Sequence, residues 1–479
     1  MEIYLIPLLF ALIAAIAPKN VVKHVGLVGA LASLVVTLTQ VVSFSPAETV
    51  SLFDPNFITS FGLTFKMGYD GMGLFMVLLT NVMIPIILLS NLNRGIANEK
   101  SFNSMVMLMQ FGLVGVFTAM DGIMFYVFWE LTLIPIFLIV LWYGAPERKN
   151  ILIKFFIYTF VGSLGMLLSL MALGTYAKDF SHESLVAIQL VPKTAFWIMG
   201  GFFLAFAIKI PLFPFHTWQP TTYTVAPMAG TMLLSGLMLK MALFGMIRWM
   251  IPLAPEAMDD FKCIVITLGL IGILYAAIIA IKQSDIKRLF AFASISHVGL
   301  IAAGIMLFDK ETLSAVFIQI ANHSLVAVGL FLAAGILEKR LGTRTLSEMG
   351  GVAKLAPKFG FWFAVIAFAS VSVPFTSGFI GEFLLLKGLY GYNWMVGLAA
   401  GTTLVFGAVY TLRAYQLSMY GAPKMESFKD LTWNELLAFF LITVFILIIG
   451  VYPQVVIDFV GPSLDKLFLS MQASNTLIP

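Results

Sequence analysis

Four ionisable side chains interrupt sequence that is otherwise apolar. Glu130 lies in "FYVFWELTLIPIFLIVLW", Lys209 in "FAIKIPLFPFHTW", Lys240 in "MLLSGLMLKMALFG" and Glu382 in "SGFIGEFLLLKGL". Each would cost several kcal/mol against lipid, so each must face the protein interior or a wet cavity. Two acids and two bases allow static buried ion pairs, but such pairs stabilise poorly relative to apolar packing. Proton storage suits them better: desolvation favours the neutral form of a lysine, and a nearby carboxylate restores its charge. On this reading Glu130 and Lys209 form a switchable couple, with Lys240 and then Glu382 as further stations. Three of the five histidines fall in the same regions: His297 in "FASISHVGLIAAG", His323 in "FIQIANHSLVAVG", and His216 a few residues past Lys209. Imidazole titrates near neutral pH, so His297 and His323 read as carriers between Lys209 and Lys240, and His216 as a further candidate. The hydroxyls of Ser163, Ser294, Ser296 and Thr217 can supplement them.

The elements that position these residues are helices in a membrane. The chain is 60% hydrophobic and 11% charged, with a mean hydropathy of +0.98, against roughly 25% charged residues in an ordinary soluble domain. The composition defines an all-α polytopic membrane protein. About 20 apolar residues cross a bilayer core, which predicts fourteen spans: 2–17, 24–43, 70–92, 102–120, 122–142, 151–177, 194–215, 225–250, 261–281, 287–308, 312–337, 359–387, 393–420 and 434–457. Turns as short as "MDG" and "FDKE" make several neighbours antiparallel. With both termini outside, 18 of the 28 Lys and Arg residues fall on inner loops and 8 on outer ones, leaving Lys209 and Lys240 within spans. Cation-rich loops stay inside, so this is the expected orientation. The start "MEIYLIPLLFALIAAIAP" lacks a basic leader and reads as a retained first helix. One cysteine, Cys263, excludes an internal disulfide and a cysteine-held cluster. Neither a glycine-rich phosphate loop nor metal-spaced His and Cys residues is found, so no cofactor or metal is expected on this chain, and the net charge of +4 gives no reason to expect nucleic acid.

Pro211 and Pro214 break the Lys209 span, and irregular backbone at membrane depth is tolerated only beside protein or water. The break therefore predicts a hydrated pocket next to Lys209. A second stretch, "FWFAVIAFASVSVPFTSGF", resembles "FWIMGGFFLAFAIKIPLFPF": both open with Phe-Trp, carry Phe-Ala midway and reach a proline, Pro374 standing for Pro211. The two helices are five spans apart and so run in opposite directions, the pattern of an inverted repeat. Spans 4–8 and 9–13 form the two five-helix repeats, with discontinuous helices 7 and 12. The corresponding domains are 1–100 (spans 1–3), 101–250, 258–420 and 421–479 (span 14).

These motifs, with "SDIKRLFAFASISHVGLIAAG", resemble the antiporter-like membrane subunits of respiratory complex I, which are related to Mrp-type sodium/proton antiporters. The resemblance runs from about residue 70 to 420. It implies that the glutamate of helix 5, the lysines of helices 7 and 8 and the charged residue of helix 12 carry proton translocation, here Glu130, Lys209, Lys240 and Glu382. It also implies that helices 7 and 12 are discontinuous. Among the three close members of the family, a glutamate at the Glu382 station and a chain of this length indicate the central one. One interval departs from the pattern: after "HTW" the chain reads "QPTTYTVAP", where the family has polar or charged residues, so that loop is not expected to relay protons, although Thr221 and Tyr223 can line a wet path.

The resemblance implies a proton-translocating subunit of a NADH:quinone oxidoreductase, without a redox centre of its own. NADH, FMN, iron–sulfur clusters and quinone belong to partner subunits. The partners are the other membrane subunits, neighbouring antiporter-like ones especially, together with lipid and protons, and the location is a bacterial inner membrane. The alternatives are a freestanding Mrp-type antiporter subunit and an antiporter-like subunit of a membrane-bound hydrogenase.

Overall fold

The computed structural model describes residues 2–19, 21–45, 48–53, 64–92 and 94–475. Among them, eleven helices are long and apolar enough to cross a membrane. The three expected spans outside that set each have a physical reason. The first helix, Glu2–Ile16, is only 15 residues long. The helix Pro192–Lys209 stops at its lysine, and span 359–387 divides into Pro357–Ser370 and Ser377–Tyr392. The remaining boundaries fall within a few residues of the expected ones.

Three helices form the centre: Met228–Leu253, Ile286–Ile305 and Lys310–Leu341, bearing Lys240, His297 and His323 respectively, and buried on nearly all sides. The outer helices present large apolar side chains such as Leu12, Val42, Leu168, Trp197 and Val405 on their free faces, as a lipid-facing surface requires. Aspartates begin many of the helices. Asp70, Asp121, Asp285 and Asp309 each accept a hydrogen bond from a first-turn backbone N–H, satisfying donors that the helix itself leaves unpaired.

Two elements were not among the expected spans. Val50–Phe53 and Met67–Tyr69 pair as a two-stranded antiparallel hairpin, with Val50 opposite Tyr69. Past the Trp433–Val451 helix, Gln454–Asn475 forms a second helix where only a short tail was expected. Pro453 separates the two, because a proline ring cannot continue the preceding helix. The C-terminal helix lies across the helix ends on the expected outer face. Ser463 Oγ accepts from the Gly71 backbone N–H at 2.8 Å, and Asp465 pairs with Lys310 at 2.6 Å.

Candidate functional site

Lys240 sits between two π-helical turns, Leu234–Met238 and Met246–Met250. A π-turn widens the helix and frees a backbone carbonyl, and such turns concentrate at functional sites. Here the Lys240 ammonium, with 0% of the residue exposed, donates to Ser235 O at 2.5 Å and to His323 Nδ1 at 2.8 Å. His323 Nε2 meets Ser294 Oγ at 3.0 Å. With Nδ1 accepting, the neutral ring carries its proton on Nε2 and donates it to the serine, a tautomer assigned from the network.

The ring of His297 lies 6.5 Å, centroid to centroid, from that of His323. Its Nδ1 bonds Glu382 Oε1 at 2.9 Å and its Nε2 meets Tyr410 OH at 3.2 Å. Glu382 is 2% exposed and also accepts from Gln319 Nε2 at 3.1 Å. Gln319 Oε1 in turn accepts from Asn322, and Asn322 Oδ1 accepts from Ser377 Oγ. Both histidines line a small cavity of about 30 Å³ together with Ser294, Gln319 and Asn322. Its wall is mostly apolar, but the imidazoles, the Ser294 hydroxyl and the Gln319 and Asn322 amides give one or two waters the partners they need, and such a water can bridge the gap between the rings.

The other couple is looser. Lys209, 3% exposed, lies with its ammonium 5.4 Å from the centre of the Trp129 ring. A desolvated cation–π contact of this kind contributes about 2 kcal/mol or more. Glu130 interacts with Lys209 and with the Ser163 hydroxyl, but the two are not in ion-pair contact among the described residues. Past Lys209 the chain leaves the helix and resumes at Gln219–Val225. The Trp218 indole N–H in this stretch donates to Ile208 O at 2.9 Å, satisfying a carbonyl that the break exposes. A matching irregular stretch follows Ser370, where Ser372 and Phe375 take positive φ values of 57° and 71°. Non-glycine residues hold that backbone only under constraint from their surroundings.

The structure thus joins Lys240, His323, His297 and Glu382 in one sequence of contacts. It places both histidines between Lys240 and Glu382 rather than between Lys209 and Lys240, because the His297 and His323 helices pack directly against the Glu382 helix. His216 stays outside this set: its ring stacks on Phe213 at 5.7 Å and meets Tyr275 edge-on at 5.2 Å, with Nδ1 buried and unpartnered. Of the expected hydroxyls, Ser294 joins the network, Ser296 bonds Ile273 O and the Tyr410 hydroxyl, Ser163 bonds Glu130, and Thr217 bonds Tyr158 OH instead. Three participants escaped the sequence reading. Gln319 stands one helical turn before His323, a spacing that places both on one face and was readable. Asn322 and Tyr410 carry no such signal, since an uncharged polar residue in a span is common.

The fold and this site define a polytopic helical membrane protein with ionisable groups buried in its central helices. Residues 119–407 match the family model described as NADH:quinone oxidoreductase/Mrp antiporter, TM. The chain is 32% identical over 467 residues to NADH-quinone oxidoreductase subunit M of Rhodobacter capsulatus, covering 94% of this chain and 91% of that one. It is 31% identical to NADH-ubiquinone oxidoreductase chain 4 of Arabidopsis thaliana, covering 97% and 95%. A chain of respiratory complex I from Thermus thermophilus superposes with a TM-score of 0.90 at 30% identity, covering 98% of this chain and 99% of the other. A chain of the Mrp complex from Dietzia shares the fold, with a TM-score of 0.88 at 18% identity over 98% of each chain. The chain belongs to the NADH:quinone oxidoreductase/Mrp antiporter membrane family, as an antiporter-like subunit of the subunit M, or chain 4, type.

Proposed function

We propose that this chain translocates protons as a membrane subunit of a NADH:quinone oxidoreductase, through Glu130, Lys209, Lys240, His323, His297 and Glu382. The observation that supports it most directly is the series Lys240, His323, His297 and Glu382, assembled from four different helices, with hydrogen bonds at both ends and a 6.5 Å separation between the two imidazoles. A buried cation held by one carbonyl and one imidazole gains little stability over apolar packing, whereas the same groups pass a proton readily. Lys240 donates to His323 Nδ1, and the Nε2 proton of that ring leaves toward Ser294. Cavity water returns it to His297, whose Nδ1 proton moves to Glu382. Lys209 acts as the switch: when the Glu130 charge is neutralised or moves away, Lys209 loses its counter-charge and releases its proton toward Lys240.

On this reading the chain has fourteen spans. Residues 101–250 and 258–420 are inverted five-helix repeats whose seventh and twelfth helices break beside Lys209 and before Glu382. Residues 1–100 hold the first three spans and 421–479 the last. The termini face outward from a bacterial inner membrane, while NADH, FMN, iron–sulfur clusters and quinone are held by partner subunits.

The test is NADH-driven proton uptake in inside-out membrane vesicles carrying Lys209→Ala, with NADH:quinone activity assayed alongside. Uptake is expected to fall by roughly tenfold or more, as loss of a positioned proton carrier entails, with slowed electron transfer. Unchanged pumping and electron transfer would make Lys209 a structural cation and the relay wrong.

A further inference from the structure

A buried lysine lies outside the relay just described. Lys287, 2% exposed, pairs with Glu338 at 2.7 Å, and the Glu338 side chain is 34% exposed. Lys287 opens the His297 helix and Glu338 closes the His323 helix. These helices run antiparallel, so the pair caps the crevice between them at the expected inner end. Lys287 also donates to Ala226 O at 3.2 Å, and Arg344 bonds Thr224 O, Glu338 and Asp285. Lys287 and Arg344 therefore hold the end of the segment Gln219–Val225 and the residue after it, where the chain resumes past the break beside Lys209.

The cavity that holds His297 and His323 is also lined by Phe290 and Phe331, whose rings meet edge-to-face at 6.2 Å. Phe290 is one helical turn beyond Lys287. Ser294 is two turns beyond, on the same face and about 10 Å along the axis. A partly exposed carboxylate, a buried amine, an aromatic pair and the Ser294–His323 contact thus follow one another along the interface of these two helices. A buried pair of this kind contributes little stability by itself, and a solvent-touching acid bonded to a buried base is arranged to take up a proton.

We propose that Lys287 and Glu338 form the inner proton-loading station of this chain, feeding His323 through the cavity water; this rests on the relay proposed above. Glu338 takes a proton from the inner solution and passes it to the neutral Lys287 amine, leaving a carboxylate and an ammonium. The ammonium releases it past Phe290 and Phe331 to Ser294 and His323, and returns to the neutral amine.

Two variants of the assembled complex test the station in inside-out vesicles. Lys287→Arg keeps the ion pair and the charge, but a guanidinium does not release its proton. The double variant Lys287→Gln/Glu338→Gln removes both charges and leaves two amides that can still bond each other, so a purely structural pair would tolerate it. Both are expected to lower protons taken up per NADH oxidised by roughly tenfold or more. Pumping at the unmodified level by either assembled variant overturns the station. Lys209→Ala runs beside them: if it pumps normally the relay itself is wrong, and if it fails while both station variants pump, only the station falls.

Discussion

At the residue scale, Glu382 separates a structural role from a chemical one. Its carboxylate accepts from His297 and from Gln319 while almost fully buried. In Glu382→Gln the amide keeps a group of the same shape, with one oxygen to accept, so the complex should assemble at near-normal levels but lose most proton pumping. In Glu382→Leu the donors on His297 and Gln319 are stranded. Each buried donor left unmade costs about 1–3 kcal/mol, so this variant should show a lower thermal midpoint as well as no pumping. Equal pumping in Glu382→Gln and the unmodified chain would remove Glu382 from the relay. His297 and His323 were identifiable from residue type and depth alone. Their partners were not, because which of several helices faces a given imidazole is not encoded in its neighbours along the chain.

At the element scale, the broken helices depend on close packing by small residues. A side chain on Gly450 would place its first carbon 2.3 Å from Phe375 O and 2.4 Å from Thr376 C, inside the irregular stretch before Glu382. Backbone atoms cannot swing aside as a flexible side chain does, so Gly450→Ala must displace the break, at a cost of about 1–3 kcal/mol as for an overpacked core. Reduced thermal stability with impaired pumping is expected; a variant identical to the unmodified protein in both would show that the break tolerates movement. The outer corner offers a second test. His182, in the short helix His182–Val186 between two spans, donates from Nε2 to Arg248 O at 2.9 Å, beside the buried Asp70–Arg248 pair at 2.6 Å. Burial, with a smaller contribution from Arg248, pushes its pKa from 6.5 down to about 4. The unfolded chain therefore binds the proton first as pH falls, so this stability is complete above pH 6.5 and is lost between 6.5 and about 4. The loss amounts to about 3 kcal/mol at about 1.4 kcal/mol per unit. Thermal midpoints measured across that window should fall with pH, and His182→Gln should flatten the dependence. Asp70 and Arg248 fall at the ends of the expected spans 70–92 and 225–250, and nothing in the sequence pairs them, since only the fold brings helix ends so distant in the chain into contact.

At the scale of the whole molecule, the orientation can be read with the native cysteine. Cys263 is unpaired and exposed near the start of the helix Met258–Lys282, at the expected outer end. A membrane-impermeant maleimide should label this chain from the outer side in right-side-out vesicles and not in sealed inside-out ones. The reverse pattern would invert the positive-inside assignment. The arrangement also concentrates its polar chemistry in the three central helices, which lipid does not reach, while the lipid-facing helices at the periphery carry the apolar bulk. Burying the polar groups behind this shell keeps each satisfied where the bilayer could not do so.

The sequence by itself determined the class of protein, the approximate helix boundaries and the four deep charges, because a bilayer imposes length, apolarity and a steep cost on charge that any single segment displays. It also marked the places where Pro211, Pro214 and Pro374 interrupt helices. Only the tertiary structure decided the order of the contacts, putting His323 next to Lys240 and His297 next to Glu382, and bringing Lys287 against Glu338 from 51 residues away. It alone revealed the π-turns around Lys240, the hairpin and the C-terminal helix. Hydropathy records how each helix meets its solvent. Which face meets which neighbour is set by packing among helices that are all apolar, and that choice leaves little trace in any one of them.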